Sequence, residues 1–476
     1  MFARDLRVAD HLGLVRAGRE GAVVAALVLD RALEDRLRRS PRRAAFYCRA
    51  VASLARELRE RGTQLVVRRG PRRATVVRLA REAGARTVVW SASYEALGKG
   101  ADRDLQAALE EAGMRALVVH DAPSISPDET SALHSEGGSG YRALAPFVAA
   151  WTGLAPAELD PRELTFAAHA LHSETLPNGG DFDAPGAEFS DLDVQAEAAS
   201  ALQAFLAGPV LGYRAERGAA AAETSRLSAH LAFGTIGAGT VARRLATRAA
   251  DPFLLVEERT SLDAFRRALA TRDFFLQLAL HFDERLDRVL QPKMRDFPFA
   301  SHHPALEAWR EGRTGYPLVD AGVRQLRRTG WMHPSVRPIV ASFLCFDLGV
   351  DWRAGRDEWE GHLVEDDLAV ANGNWQWIAG VGADQAAYPR IYHPLKAARR
   401  LDPAATFIRR WVPELTSLPA ASILNPAERS GGQLALPLFG ASGYPAPVLD
   451  HEVAARAFLK RYAAHARSQS ARSLGG

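Results

Sequence analysis

Along the first 125 residues, short β-branched runs alternate with longer segments whose apolar positions recur at helical spacing. The runs Val23–Leu29, Gln64–Val67, Thr87–Trp90 and Ala116–Val119 predict strands. Between them, Arg42–Glu60 and Arg72–Ala83 predict helices with arginine-rich outer faces. This alternation predicts an α/β domain built on a doubly wound parallel sheet. From about 126 to 200 the pattern loosens around the turn-rich runs Ser135–Gly140 and Pro177–Pro185, with one helix expected at Tyr141–Leu154. Beyond residue 194 the periods are helical, at Val194–Phe205, Ala238–Ala246, Leu262–Leu280, Leu318–Arg328, Val336–Leu348, Arg356–Leu363 and Glu452–His465. The expected organisation is an α/β domain over 1–125, a linker over 126–200 and an all-α domain over 201–470.

Composition narrows this picture. Of the 476 residues, 47% are apolar and 24% charged, the balance of a globular protein with room for two or three domains. The net charge of +4 permits a nucleic-acid partner without demanding one. Lys99, Lys293, Lys396 and Lys460 are the only lysines, so arginine carries nearly all the positive charge. Arginine suits bidentate phosphate contacts, but a genome-wide compositional bias accounts for it equally well. Cys48 and Cys345, far apart and outside any CxxC pattern, exclude a disulfide scaffold and a four-cysteine cluster and fit a reducing cytoplasm. No apolar run approaches the length of a membrane span.

The most informative stretch runs from Glu365 to Asp384. Glu365, Asp366 and Asp367 precede Asn372-Gly373-Asn374, a sequence that favours a turn, and then Trp375 and Trp377. Acids beside a turn and backed by large aromatics suit a buried pocket for an aromatic ligand with polar arms. A core helix with two packing tryptophans and a solvated acidic cap explains the same residues. Thr224-Ser225-Arg226-Leu227-Ser228, ahead of an apolar helix, reads either as a plain N-cap or as an anion site built from hydroxyls and backbone N–H groups.

The wider pattern favours a ligand. Gly315-Tyr316-Pro317-Leu318-Val319-Asp320, Thr329-Gly330-Trp331-Met332-His333-Pro334, Val350-Asp351-Trp352-Arg353, Tyr388, Arg390, Ile391 and Phe407 to Leu415 follow one another in order. Together with the acidic stretch they resemble the flavin-binding helical domain of the DNA photolyase/cryptochrome family, most densely from about residue 305 to 415. Near the start, Arg4-Asp5-Leu6-Arg7 resembles the opening of that family's antenna domain, as do Tyr94-Glu95 and Arg103-Asp104. A full strand normally precedes the first of these motifs, which implies here either an exposed sheet edge or a start further upstream.

The resemblance implies FAD, held by Tyr213, by Thr224, Ser225, Arg226, Leu227 and Ser228 around the pyrophosphate, by Arg272, by Arg337, and by the acids Glu365, Asp366 and Asp367. It also implies a second, light-harvesting chromophore of folate or deazaflavin type, whose identity stays open. The partner it implies is damaged DNA carrying a pyrimidine dimer, met by a monomeric cytoplasmic protein through Arg217, Thr271 and Phe275. Trp375 and Trp352 match the inner and middle members of an electron relay whose outer member aligns with Phe299. Other positions depart from the family pattern. Ala268 stands where a glutamate hydrogen-bonds the lesion, Thr271 where a tryptophan packs on it, and Pro334 and Ala371 where asparagines are usual. The expected activity is light-driven dimer repair by electron transfer from reduced FAD. The alternative is a cryptochrome-like photoreceptor driven by flavin photoreduction. With two cysteines the chain is not one of the family's iron–sulfur members.

Overall fold

The computed structural model describes residues 1–134, 140–159, 164–184, 193–216, 219–282, 288–383, 389–424 and 443–474. Arg217, Tyr388 and most of the 135–140 and 185 breaker positions lie outside the described residues. The chain forms two compact units, each discontinuous in sequence. The first comprises Met1–Arg214, Thr224–Leu286 and Val364–Val370, the second Ala215–Glu223, Asp287–Leu363 and Ala371–Gly476.

In the first unit the expected strands form as β1 (Ala26–Leu29), β2 (Val66–Arg69), β3 (Thr87–Ser91) and β4 (Arg115–Val119). β1 pairs with β2 and β3 with β4, both in parallel. Alternate residues of β1 serve opposite faces, as strand geometry requires. Leu27 and Leu29 join Tyr47, Val51, Leu54 and Leu58 of the helix Pro41–Glu60, whereas Val28 joins Val76 and Ala80 of the helix Arg72–Glu82 and Leu105 and Leu109 of the helix Ala96–Glu111. Helices therefore cover both faces, as a doubly wound sheet demands.

β2 runs two residues further than its apolar pattern predicts, because its arginines are neutralised. Arg68 pairs with Glu82, and Arg69 with Asp181. Among the described residues β1 and β3 do not pair with each other. The Phe2 N–H donates to the Ala26 carbonyl and the Met1 ammonium to that of Val89. A cavity of about 420 Å³, lined by both strands, continues from that point.

The second unit is helical. Its core gathers Trp309, Leu318, Val319, Phe343, Phe346, Trp352, Trp375, Ile408 and Phe458. The helix expected over Val336–Leu348 is regular only from Arg337 to Ser342 and widens into a π turn at Phe343–Asp347. Asn372-Gly373-Asn374 does not make the expected turn. It lies inside the helix Leu368–Ala379, where packing of Trp375 and a hydrogen bond from Arg356 to the Asn372 side chain, 3.0 Å, override local preference. That helix stops at Gly380, whose φ of 74° is the left-handed conformation glycine adopts without strain. No described helix is long and apolar enough to cross a membrane.

Candidate cofactor site

Glu365–Asp367 lie outside any helix or strand, immediately before the helix that begins at Leu368. The three acids go to different partners. Glu365 accepts from the Ser228 hydroxyl at 3.4 Å. Asp367 lies 3.5 Å from the Arg272 guanidinium and caps its own helix by accepting from the Val370 N–H at 3.3 Å. Asp366, completely buried, turns instead to Arg36, 2.6 Å away, and Arg43, 3.8 Å away.

Those two arginines are placed by well-capped helices. The Asp30 carboxylate caps Arg31–Arg38 at Leu33, and Ser40 with Pro41 at the first helical position starts Pro41–Glu60. Arg36 also pairs with Glu95, which Arg4 contacts at 3.0 Å. Burial alone would raise the pKa of Asp366. Arg36, Arg43 and Arg4 outweigh it and hold the carboxyl below its ordinary range. Glu95 is likewise held down by Arg4 and Arg36 against its burial.

The Thr224–Ser228 segment belongs to the same unit. Arg226 adopts a left-handed φ of 53°, and Ser228 opens a helix that lasts only to Ala232. Leu227 offers that helix no side-chain cap. The Thr224 hydroxyl is shielded from solvent with no hydrogen-bond partner among the described residues. An orphaned buried hydroxyl costs free energy unless a ligand meets it, which fits a polar group bound at this segment. Ser225 is half-buried beside it. Tyr213 packs its ring edge-on to Phe265, 5.3 Å between centroids.

Arg272 donates to the Ala122 carbonyl at 2.8 Å as well as facing Asp367. Its neighbour Asp273 is not on a solvated face. It is buried and accepts from the Ser124 N–H and hydroxyl and from the Trp151 indole. A small cavity of about 70 Å³ is lined by Arg4, Arg272 and Asp367 among others.

Of the positions expected to face DNA, Thr271 is half-buried and bonds back to the Arg267 carbonyl of its own helix. Phe275 is 7% exposed and packs against Phe274, so its ring belongs to the core. Ala268 is half-buried one turn before Thr271.

The remaining candidates lie in the second unit. Arg337 opens its helix and donates through Nε to the Met332 carbonyl at 2.9 Å. Trp352 is fully buried, with the guanidiniums of Arg353 and Arg356 at 5.0 and 5.4 Å from its ring. Trp375 lies against the backbone of the helix Trp352–Glu360, where a Cβ on Gly355 would collide with its ring. Trp359, absent from the expected set, meets Trp375 edge-on at 4.5 Å. Its spacing of seven from Trp352 places both on one helical face, a signal present in the sequence. Phe299 packs against Phe297 at 4.7 Å.

An α/β unit of this kind together with a helical unit rich in buried aromatics is the architecture of a light-dependent flavoprotein, and the comparisons give its family. Residues 1–163 match DNA photolyase, and residues 265–464 match the FAD binding domain of DNA photolyase. The chain belongs to the DNA photolyase family. It is 34% identical to the deoxyribodipyrimidine photo-lyase of Synechococcus sp., covering 96% of this chain and 95% of that one. Identity to the deoxyribodipyrimidine photo-lyase of Halobacterium salinarum is 36%, over 94% and 95%. The crystal structure of a class III photolyase from Agrobacterium tumefaciens superposes with a TM-score of 0.83 at 30% identity, covering 98% of this chain and 97% of that one.

Proposed function

We propose that this protein is a deoxyribodipyrimidine photo-lyase, which splits pyrimidine dimers in DNA using light and reduced FAD. The observation that carries this is the pairing of Glu365 with Ser228 and of Asp367 with Arg272, with the Thr224 hydroxyl of the Ser228 segment buried and without a hydrogen-bond partner among the described residues. FAD, when bound, would supply the light-driven electron-transfer chemistry of dimer splitting. The protein's own part is to hold and orient. Thr224, Ser225 and Ser228, with the backbone of Arg226 and Leu227, hold the phosphates. Tyr213, Arg272, Arg337 and the carboxylates of Glu365 and Asp367 bind the rest. Trp375 and Trp352 carry electrons towards the flavin. Arg217 and Thr271 would meet the DNA, in which extruding a damaged base costs less than extruding a paired one.

The α/β domain over 1–125, the linker over 126–200 and the helical domain over 201–470 are the corresponding division of labour, the first serving a second light-harvesting chromophore. The protein acts as a cytoplasmic monomer on damaged DNA. Purified protein should contain tightly bound FAD, and Asp367→Ala should release it, because its partners would be left unpaired. A fully flavin-loaded Asp367→Ala protein would count against the site.

The second reading, a cryptochrome-like photoreceptor, is favoured by Ala268 and Thr271, which cannot make the hydrogen bond and ring stack expected with a lesion. Ala268→Glu separates the two. A carboxylate hydrogen bond in a dry pocket is worth roughly 1.5–3 kcal/mol, so the variant should raise the repair yield of a photo-lyase. A folded variant with no gain favours the photoreceptor.

A further inference from the structure

The three consecutive acids do not have one role. Asp366 shares no side-chain partner with Glu365 or Asp367 in the contacts above and is gripped by Arg36 at 2.6 Å and Arg43 at 3.8 Å. Arginines also hold the backbone on either side of its side chain. Arg4 donates to the Asp366 carbonyl at 2.8 Å and Arg43 to the Glu365 carbonyl at 3.4 Å. The residues so joined are up to 362 positions apart in sequence. Asp366 and Arg43 side chains are completely buried, so the clasp is both desolvated and geometrically restrictive. Arg36 donates from Nε, at 3.1 Å, and from Nη2, at 2.6 Å, to the same Asp366 oxygen, a forked contact that fixes direction as well as distance.

Holding the Asp366 side chain together with the carbonyls of Glu365 and Asp366 fixes the backbone from which Glu365 and Asp367 project. We propose that Asp366 is a positioning residue: the clasp of Arg4, Arg36 and Arg43 sets where Glu365 and Asp367 present their carboxylates to the flavin. The α/β part of the first unit thereby tunes flavin affinity and potential through a residue that does not touch the flavin. This rests on the reading of Glu365 and Asp367 as flavin-facing.

The test uses the full chain carrying Asp366→Asn, Arg36→Met or Arg4→Met, with Asp367→Ala as reference. Two quantities are read, the FAD dissociation constant of flavin-depleted protein and the midpoint potential of the bound flavin. The clasp predicts at least a tenfold weaker FAD constant and a displaced potential in Asp366→Asn and Arg36→Met. The double variant should be no worse than the poorer single one, as expected of residues in one network. Arg4→Met, which removes a contact to the Asp366 carbonyl rather than to its carboxylate, should show the same change more weakly, and it decides alone if Asp366→Asn fails to fold. Unchanged constant and potential in the clasp variants, with FAD lost from Asp367→Ala, overturn the positioning role and leave the flavin site standing, even if melting temperatures fall. FAD retained by Asp367→Ala overturns the flavin reading itself.

Discussion

Asp366 and Asp320 are both carboxylates removed entirely from solvent, one in each unit, and they are held in opposite ways. Asp366 is met by arginines from distant helices, Arg36 and Arg43. Asp320 is met by neutral donors, mostly local: the Thr314 N–H at 2.8 Å, the Thr314 hydroxyl at 2.6 Å, the Gly315 N–H at 3.1 Å and the Tyr444 hydroxyl. Burial raises the pKa of Asp320 despite these bonds, whereas at Asp366 the arginines win and the pKa falls. Asp320 builds the turn that starts its own helix. Asp366 pins a segment from which other residues face a ligand. Asp273, in the first unit, is of the Asp320 kind, with burial again pushing its pKa up against Arg272, Ser124 and Trp151.

The comparison predicts unequal costs for the same chemical change. Asp366→Asn leaves buried guanidinium charge without its partner and should lose about 3–5 kcal/mol. Asp320→Asn keeps the shape and half the acceptor capacity and should lose about 1–3 kcal/mol. Denaturant unfolding of the two variants at neutral pH checks the ranking, and equal losses would dissolve the distinction.

Acid separates the two sites by sign. The folded-state pKa values of Asp366 and Glu95 are depressed, so their contribution is present above the unfolded values of about 4 and is lost as pH falls through the folded ones. That of Asp320 is raised, so its contribution is full below the unfolded value and declines as pH rises through the folded one. Hydrogen exchange below pH 4 should therefore open the amides of 365–367 before those of 314–316. The reverse order would contradict the assignment.

The smallest effect is expected at Asp273. Trp151→Phe removes one of its donors, the indole N–H at 2.9 Å, and should lose about 1 kcal/mol in thermal unfolding. A loss as large as that of Asp366→Asn would mean that neutral donors matter as much as arginines.

Much of this was legible in the sequence where a period or a motif reported directly on geometry. The strands and most of the helices follow from apolar spacing, and the acidic stretch marks a segment that contributes to both units. Asp366 was grouped with its neighbours because three acids in a row look alike. Their divergence depends on arginines more than 300 positions away, which no local pattern contains. Asn372-Gly373-Asn374 misled for a related reason, since a helix capped by Asp367 and packed through Trp375 outweighs local turn preference. Phe275 was expected to face DNA and is instead a core ring, because positions 274–279 of its helix are all buried. Trp359 was within reach, seven residues from Trp352 on one face, but a packing tryptophan and a redox tryptophan share the same spacing.

Repair of pyrimidine dimers by light with reduced FAD is the activity on which the site reading turns. The direct measurement is the dimer content of a defined duplex carrying one dimer, incubated with the reduced holoprotein in blue light and in darkness. Dimer loss is expected in the light alone, abolished in Asp367→Ala and increased in Ala268→Glu. A fully reduced, FAD-loaded and DNA-bound protein that leaves the dimer intact under illumination would contradict it.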